Sequence, residues 1–273
     1  MSGLPDLRGK VAVVTGGASG IGKGIATQFV AEGMRVIIAD IEQDALDKTA
    51  AQIGAVGVPV DVSDLASVQA LARAAQELYG TVHVVCNNAG IGPMAAIKDL
   101  TMDDWHWMLG VNLYGVIHGV HTFLPVLRAN PDGGHIVNTA SMAGLVAPTR
   151  IGSYAVAKYG VVALTEVLAA ELAAEGSKVG VSVLCPGTVR TNIGTSSRNR
   201  PADLADRGLV DIDIQLEDNP NYRWIDPDQA GAVVVRAVKR GDLYALTHPD
   251  WYPQVEQRHQ AIAAAFRQQA ADL

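Results

Sequence analysis

The stretch KVAVVTGGASGIG, residues 10–22, decides the fold. Of its first six residues, four are apolar and four are β-branched, which predicts a buried strand, and the glycine-rich part opens a segment with helical periodicity. Gly16, Gly20 and Gly22 lack the Cβ that would keep a pyrophosphate away from the backbone, and the N-terminus of the following helix offers free N–H groups. Since glycine-rich turns are common, a plain tight turn remains an alternative reading of this motif alone.

The rest of the chain repeats this alternation of short apolar runs and helical segments. We predict strands over 10–15, 35–40, 56–60, 82–87, 134–140, 179–185 and 243–246. We predict helices over 20–32, 42–53, 64–79 (capped by Ser63), 102–128, 152–175, 228–240 and 254–271. The alternation predicts the α/β class: a doubly wound parallel sheet of the Rossmann type, with about seven strands and helices on both faces.

The domain organisation follows from the absence of a linker or repeat, which predicts a single domain over 1–273. Residues 188–227 are polar and weakly periodic, and a connection of this length predicts a lid over a substrate. For the tail, 247–273, two interpretations stay open: it crosses to a neighbouring subunit, or it covers the pocket.

Composition excludes several classes of protein. The net charge of −7, without a basic cluster, argues against a nucleic-acid partner. The seven histidines lack metal-ligand spacing, so we expect no metal site, and the two cysteines are expected to be buried free thiols. No apolar run approaches the ~20 residues of a membrane helix, and no apolar leader precedes Asp6; we therefore expect a soluble cytoplasmic protein.

Asp40 ends the second predicted strand, about 20 residues after the glycine-rich turn. A carboxylate there can accept hydrogen bonds from the adenosine ribose of a dinucleotide and would repel a 2′-phosphate. Because Gly17, Ser19 and Ile41 are uncharged, the sequence favours NAD over NADP. The alternative is that Asp40 only caps the following helix.

Further motifs follow in a fixed order along the chain. They are NNAG at 87–90, Asn112 within GVNLYG, Ser141 after the fifth strand, Tyr154 and Lys158 within SYAVAKYG, and PGT at 186–188. Together with TGGASGIG they resemble the short-chain dehydrogenase/reductase family over about residues 8–192. The segments TMDDWHWMLGVNLYGVIHG and TNIGTSSRNRPA also resemble bacterial members that oxidise bulky secondary alcohols, such as the lignin-ether Cα-dehydrogenases.

The chemistry expected of these residues is acid–base catalysis. Tyr154 and Lys158 are four residues apart and share a helix face, so the ammonium is expected to favour the phenolate of a general acid/base. Ser141 has no neighbouring base of the kind found in hydrolases, so its hydroxyl is suited to hydrogen-bonding the substrate oxygen. The resemblance implies that Asn112 interrupts its helix and holds a water that links Lys158 to solvent. The predicted reaction is NAD-dependent hydride transfer between a secondary alcohol, bulky, aryl or cyclic, and its ketone.

The resemblance also implies the cofactor contacts and the assembly. The expected cofactor-binding residues are Gly16, Ser19, Gly20, Ile21, Gly22, Asp40, Ile41, Asp61, Val62, Asn88, Ala89, Gly90, Tyr154, Lys158, Pro186, Gly187, Val189 and Thr191. The helices over 102–128 and 152–175 resemble the family's subunit-pairing helices, which implies a homotetramer or a dimer. We expect the substrate pocket at 93–95, Met142, Leu145 and the lid, where Tyr222 and Trp224 are candidates for substrate contact.

The motifs argue against two other functions. A catalytically silent dinucleotide sensor or scaffold would be expected to lose Tyr154, Lys158 or Ser141, and all three are present. A sugar-nucleotide epimerase or dehydratase would carry a G-x-x-G-x-x-G turn, whereas this chain has G-x-x-x-G-x-G.

Overall fold

The chain folds around one seven-stranded sheet in which every pairing is parallel. The structure, a computed structural model, describes residues 3–204, 207–213, 215 and 223–271. The strands are β1 (Val11–Thr15), β2 (Arg35–Asp40), β3 (Val56–Pro59), β4 (Val84–Asn87), β5 (Gly134–Thr139), β6 (Val179–Cys185) and β7 (Tyr244–Leu246). Their order, β3-β2-β1-β4-β5-β6-β7, reverses direction between β1 and β4. The predicted fold class is confirmed.

Apart from the segment 102–128, which contains two helices, the helices match the predicted segments to within two residues at each end. They are α1 (Gly20–Ala31), α2 (Gln43–Ile53), α3 (Leu65–Tyr79), α4 (Met102–Leu109), α5 (Gly115–Ala129), α6 (Gly152–Ala174), α7 (Pro227–Arg240) and α8 (Tyr252–Ala271). The predicted cap at Ser63 is wrong. Asp64 caps α3 by accepting a hydrogen bond from the Ala66 N–H, and the Ser63 hydroxyl donates to Asp61 instead.

The predicted helix over 102–128 is divided by a π-helical turn at Gly110–Tyr114, between α4 and α5. A π-helical turn holds one extra residue, and such turns are frequent at functional sites. Here the turn contains Asn112, which is fully buried. The interruption that the family resemblance implied at Asn112 is therefore present.

Apolar side chains leave the central strands on both faces, because helices cover both sides of a parallel sheet. Val13 and Ile37 face the layer of α3, α5 and α6, whereas Val14 and Ile38 face the layer of α1 and α7. Cys86 and Cys185 are buried free thiols, as expected.

Helices α1 and α7 approach each other closely because of Gly24 and Gly231. A Cβ at Gly24 would lie 2.3 Å from the Pro227 carbonyl oxygen, and one at Gly231 would lie 2.4 Å from the Gly24 oxygen. This packing brings the start of α7 beside the glycine-rich turn.

The predicted lid is described in part. It forms a 3₁₀ segment at Ile193–Asn199, and single bridges join Val210 to Met94 and Ile225 to Val189. Tyr222 lies outside the described residues. Among the residues that the structure describes, no helix is both long and apolar enough to cross a membrane. The cytoplasmic location and the single-domain organisation stay predictions.

Candidate active site

A cleft of about 690 Å³ opens at the carboxyl ends of the strands, where the strand order reverses. In open α/β sheets this is the position at which ligands bind. The cleft is lined by all eighteen residues expected to bind the cofactor and by Ser141: Gly16, Ser19, Gly20, Ile21, Gly22, Asp40, Ile41, Asp61, Val62, Asn88, Ala89, Gly90, Ser141, Tyr154, Lys158, Pro186, Gly187, Val189 and Thr191. Asn112 is not among the residues that line the cleft.

The glycine-rich turn adopts a backbone that other residues would strain. Gly16 and Gly20 have φ of +64° and +49°, and a Cβ at Gly22 would lie 2.0 Å from the Gly16 carbonyl oxygen. Ser19 precedes α1 without a side-chain cap, so N–H groups of the first helical turn are left to another acceptor. A glycine-lined turn with a positive helix end suits the pyrophosphate of a dinucleotide.

Asp40 and Asp61 place two carboxylates in the lining of the cleft. Asp40 accepts hydrogen bonds from the Ala18 N–H at 3.0 Å and from the Glu42 N–H at 3.1 Å. Burial raises the pKa of Asp40, although these backbone N–H groups lower it. Since Glu42, not Asp40, precedes the first turn of α2, Asp40 is not the cap of that helix. Asp61 accepts from the Ser63 N–H and hydroxyl.

Asn112 holds the loop that follows β4. Its Oδ1 accepts from the Ile91 N–H at 3.0 Å, and its Nδ2 donates to the Ile91 carbonyl at 2.9 Å. A Cβ at Gly90 would lie 2.8 Å from Asn112 Oδ1, so the loop and the amide are in close contact. The structure thus gives Asn112 a positioning role. The water-mediated proton path stays a prediction.

Tyr154, Lys158 and Ser141 meet at one wall of the cleft. The Lys158 side chain is buried, and its Nζ donates to the Thr139 carbonyl at 2.9 Å and lies 5.6 Å from the centroid of the Tyr154 ring. Burial lowers the pKa of Lys158 to about 8. Burial also raises the pKa of Tyr154, while a hydrogen bond with Ser141 lowers it. The direction of the Tyr154 pKa shift is opposite to the one expected from its spacing to Lys158, because that spacing does not encode the desolvation of the phenol.

Comparison with known proteins identifies the family. The family model described as short chain dehydrogenase matches residues 10–202, well over half of the chain. The chain belongs to the short-chain dehydrogenase family. This confirms the resemblance found in the motifs, and it makes the chain a member of an oxidoreductase family.

The sequences of relatives align with most of this short-chain dehydrogenase. A C alpha-dehydrogenase from Sphingobium sp. strain SYK-6 is 32% identical over 267 residues, covering 95% of this chain and 87% of the relative. A D-beta-hydroxybutyrate dehydrogenase from Cupriavidus necator is 36% identical over 242 residues, covering 84% and 90%. A crystal structure of a family member from Burkholderia phymatum in complex with NAD is 38% identical, with a TM-score of 0.90 and coverage of 95% and 96%.

The burial of Lys158 in this short-chain dehydrogenase predicts a dependence of stability on pH. Its pKa falls from 10.5 to about 8 on folding, so between these values the unfolded chain binds more protons and stability rises with pH. Against Lys158→Met, which lacks this titration, the wild type should gain about 2 kcal/mol of unfolding free energy from about pH 7.5 to about pH 10. Urea unfolding of both proteins measures this. A difference between them that stays constant over that range would contradict the buried ammonium.

Sequence reasoning missed several residues of the substrate end of the cleft. Met94 and Met142 line it as expected, whereas Pro93, Ala95, Leu145 and Trp224 are not among its lining residues. The missed residues are mostly apolar: Trp107, Val111, Val146, Pro148, Ile151 and Trp251. The tail reaches the cleft through Trp251 and Gln254, but no described residue of α8 is buried, so both interpretations of the tail stay predictions. Helical periodicity at 102–109 could have shown that Trp107 is buried, but not that it faces a cavity.

A buried ion pair joins the lid to α4, and no sequence pattern predicts it. Arg200 Nη1 donates to Asp104 Oδ1 at 2.6 Å, and both side chains are buried. Asp104 Oδ2 accepts from the Gly208 N–H at 2.7 Å, which brings a second lid residue to the same carboxylate. The Arg200 guanidinium also lies 5.1 Å above the Trp107 ring. The lid is therefore attached to the wall of the substrate end.

Proposed function

We propose that this protein is an NAD(H)-dependent oxidoreductase that transfers a hydride between a secondary alcohol and the matching ketone, with Tyr154 as general acid/base. The observation that carries the proposal is that partly buried Tyr154 and Ser141 and buried Lys158 meet on the wall of the cleft that also contains the glycine-rich turn. The dehydrogenase names of its relatives support the same reaction class.

Each residue has a task in this mechanism. Ser141, hydrogen-bonded to Tyr154, orients the alcohol or carbonyl oxygen of the substrate beside the phenol. Tyr154 takes the hydroxyl proton when the alcohol is oxidised and returns a proton when the ketone is reduced. The Lys158 ammonium, held by Thr139, contributes positive charge that favours the phenolate. When bound, the nicotinamide dinucleotide supplies the hydride acceptor or donor, and its oxidised ring adds a further positive charge.

The chain's own residues fit a dinucleotide. A Cβ at Gly20 would lie 3.0 Å from the Thr191 side chain. A side chain at the start of α1 would therefore crowd the part of the cleft where a pyrophosphate would pass. Asp40 stands at the carboxyl end of β2, within reach of an adenosine ribose, and the family member from Burkholderia phymatum was solved with NAD. These observations support NAD as the cofactor.

NADH is expected to be the preferred cofactor, by at least about tenfold in kcat/KM, because the Asp40 carboxylate repels a 2′-phosphate. Asp40→Ser should reduce this preference. Asp44→Asn, which removes an exposed carboxylate from the first turn of α2, should leave it unchanged. Initial rates with both cofactors provide the measurement. Equal kcat/KM for NADH and NADPH in the wild type would refute the assignment.

For the substrate, we propose a bulky alcohol or ketone with an aryl or cyclic group. Apolar side chains line the cleft, among them Met94, Trp107 and Val111, and the last two pack in the same apolar cluster as Tyr154. The name of the Sphingobium relative, C alpha-dehydrogenase, is compatible with this class. A panel of aliphatic, cyclic and aryl alcohols and ketones, followed by NADH absorbance, identifies the class. Turnover confined to small aliphatic compounds would contradict it.

We also propose that the protein is a homotetramer or a dimer. Three apolar side chains on the π-helical turn and α6 expose about half of their surface: Tyr114, Val156 and Val167. Both elements are part of the helices that are expected to pair. Exposed apolar side chains on these helices support an association surface there. Light scattering at micromolar concentration should give two or four times the chain mass of 28.6 kDa. A monomer at that concentration would rule out the proposal.

A further inference from the structure

The described lid makes a contact at the Asp40 end of the cleft that the mechanism above does not use. Arg198, in the 3₁₀ segment, donates to Glu42 Oε1 through Nη2 at 2.6 Å and Nε at 3.1 Å. Asn199 Nδ2 donates to the same oxygen at 2.8 Å. Residues 156 positions apart are thereby joined across the cleft. We call this contact of Glu42, Arg198 and Asn199 the clasp.

The clasp lies beside the carboxylate that would receive the adenosine ribose. Glu42, Arg198 and Asn199 line the same cleft as Asp40. The Glu42 N–H donates to Asp40 Oδ1 at 3.1 Å, so the two acidic residues are in direct contact through the backbone. Burial is the main cause of the raised pKa of Asp40, and the negative charge of Glu42 adds to it. The charge of Glu42 therefore influences the carboxylate of Asp40.

Each nitrogen of the Arg198 guanidinium donates a hydrogen bond. Nε and Nη2 form the edge that binds a carboxylate or a phosphate, and here both donate to Glu42. Nη1 donates to the Thr195 carbonyl at 2.6 Å. The formal charges of Asp40, Glu42 and Arg198 leave one net negative charge at this end of the cleft. Without Glu42, the charge would be zero and the phosphate-binding edge of Arg198 would be free.

We infer that Glu42 is a second determinant of dinucleotide choice beside Asp40, because it occupies a lid arginine that would otherwise receive a 2′-phosphate. This inference rests on the proposed function, since it assumes that the cleft binds a nicotinamide dinucleotide. Removing the carboxylate should favour NADPH, whereas removing the guanidinium should leave the preference unchanged or shift it away from NADPH. Both changes break the clasp, so a purely structural contact would shift both in the same direction.

The experiment measures the Kd of NADH and of NADPH by nicotinamide fluorescence on the full chain, without a substrate. In Glu42→Gln, the ratio Kd(NADPH)/Kd(NADH) should fall about tenfold relative to the wild type. In Arg198→Met the ratio should stay the same or rise, and adding Arg198→Met to Glu42→Gln should abolish the fall. Arg190→Met, which breaks an exposed ion pair with Asp226 at the base of the lid, is the matched control and should leave the ratio unchanged.

The outcomes separate this inference from the proposed function. A wild type that binds neither nucleotide would overturn both. A wild type that binds NADH, with a ratio unchanged in Glu42→Gln, would overturn the role of Glu42 and leave the proposed function standing. A fall of the ratio in both single variants would also overturn the inference, because it would show that loss of the clasp, not of one charge, sets the preference.

Discussion

Tyr154→Phe is expected to lower kcat by about three orders of magnitude, within the usual range for loss of a general acid/base. Phenylalanine keeps the ring that packs in this wall of the cleft but cannot take or give a proton. The Kd for NADH should change by less than about twofold, because the phenolic hydroxyl is assigned to the substrate. Steady-state rates and fluorescence titration measure the two effects separately.

The matched control for this variant lies five residues along the same helix. The Tyr159 hydroxyl is buried and has no hydrogen-bond partner among the described residues. Tyr159→Phe removes the same atom from α6 away from the cleft and should leave both kcat and Kd near their wild-type values. If Tyr154→Phe kept more than about a tenth of the activity, another group would have to carry the proton.

Arg200→Met is expected to cost about 3–5 kcal/mol, the usual penalty for leaving one member of a buried ion pair without its partner. Burial alone would raise the pKa of Asp104, but hydrogen bonds from the backbone and Arg200 outweigh it, so the pKa is lowered and the carboxylate stays ionised. Without Arg200, that charge is buried beside an apolar wall. We expect a lower midpoint of urea unfolding and a higher KM, because the lid loses its attachment to α4.

Two further variants test this explanation. Arg198→Met removes an arginine from the same lid, but its ion pair with Glu42 is partly exposed, so the loss of stability should be below about 1 kcal/mol. Adding Asp104→Asn to Arg200→Met removes the unpaired charge and should recover at least half of the loss. A double variant no more stable than Arg200→Met would show that the packing of Arg200 on Trp107, not the ion pair, is responsible.

The fold could be predicted from the sequence because its signals are local. The run Val11–Thr15 is buried on both faces, and an apolar run of that length before a glycine-rich turn reveals this without any knowledge of its neighbours. The same holds for the carboxyl ends of the strands, where parallel topology gathers the motif residues. Asp40, Ser141 and Tyr154 therefore line one cleft although they are far apart in the chain.

The parts that sequence could not provide depend on contacts between distant residues. Asp104 and Arg200 are 96 residues apart, and the Thr101-x-x-Asp104 pattern by itself predicts only a helix cap, which Asp104 also forms. The protonation of Tyr154 and Lys158 depends on burial that their four-residue spacing does not encode. The clasp has the same cause: the residues near Asp40 in the sequence, such as Ser19 and Ile41, are uncharged, whereas Arg198 contacts Glu42 from the lid, 156 residues along the chain.

Hydride transfer itself is tested most directly with NADH that carries two deuterium atoms at C4 of the nicotinamide, so that transfer from either face of the ring delivers deuterium. The protein is incubated with this cofactor and the panel of ketones, and the alcohols formed are analysed by mass spectrometry. We predict an alcohol with one deuterium on the carbinol carbon in the wild type and in Tyr159→Phe, and almost none in Tyr154→Phe. A wild-type protein that binds NADH but gives no deuterated alcohol from any ketone of the panel would contradict the account.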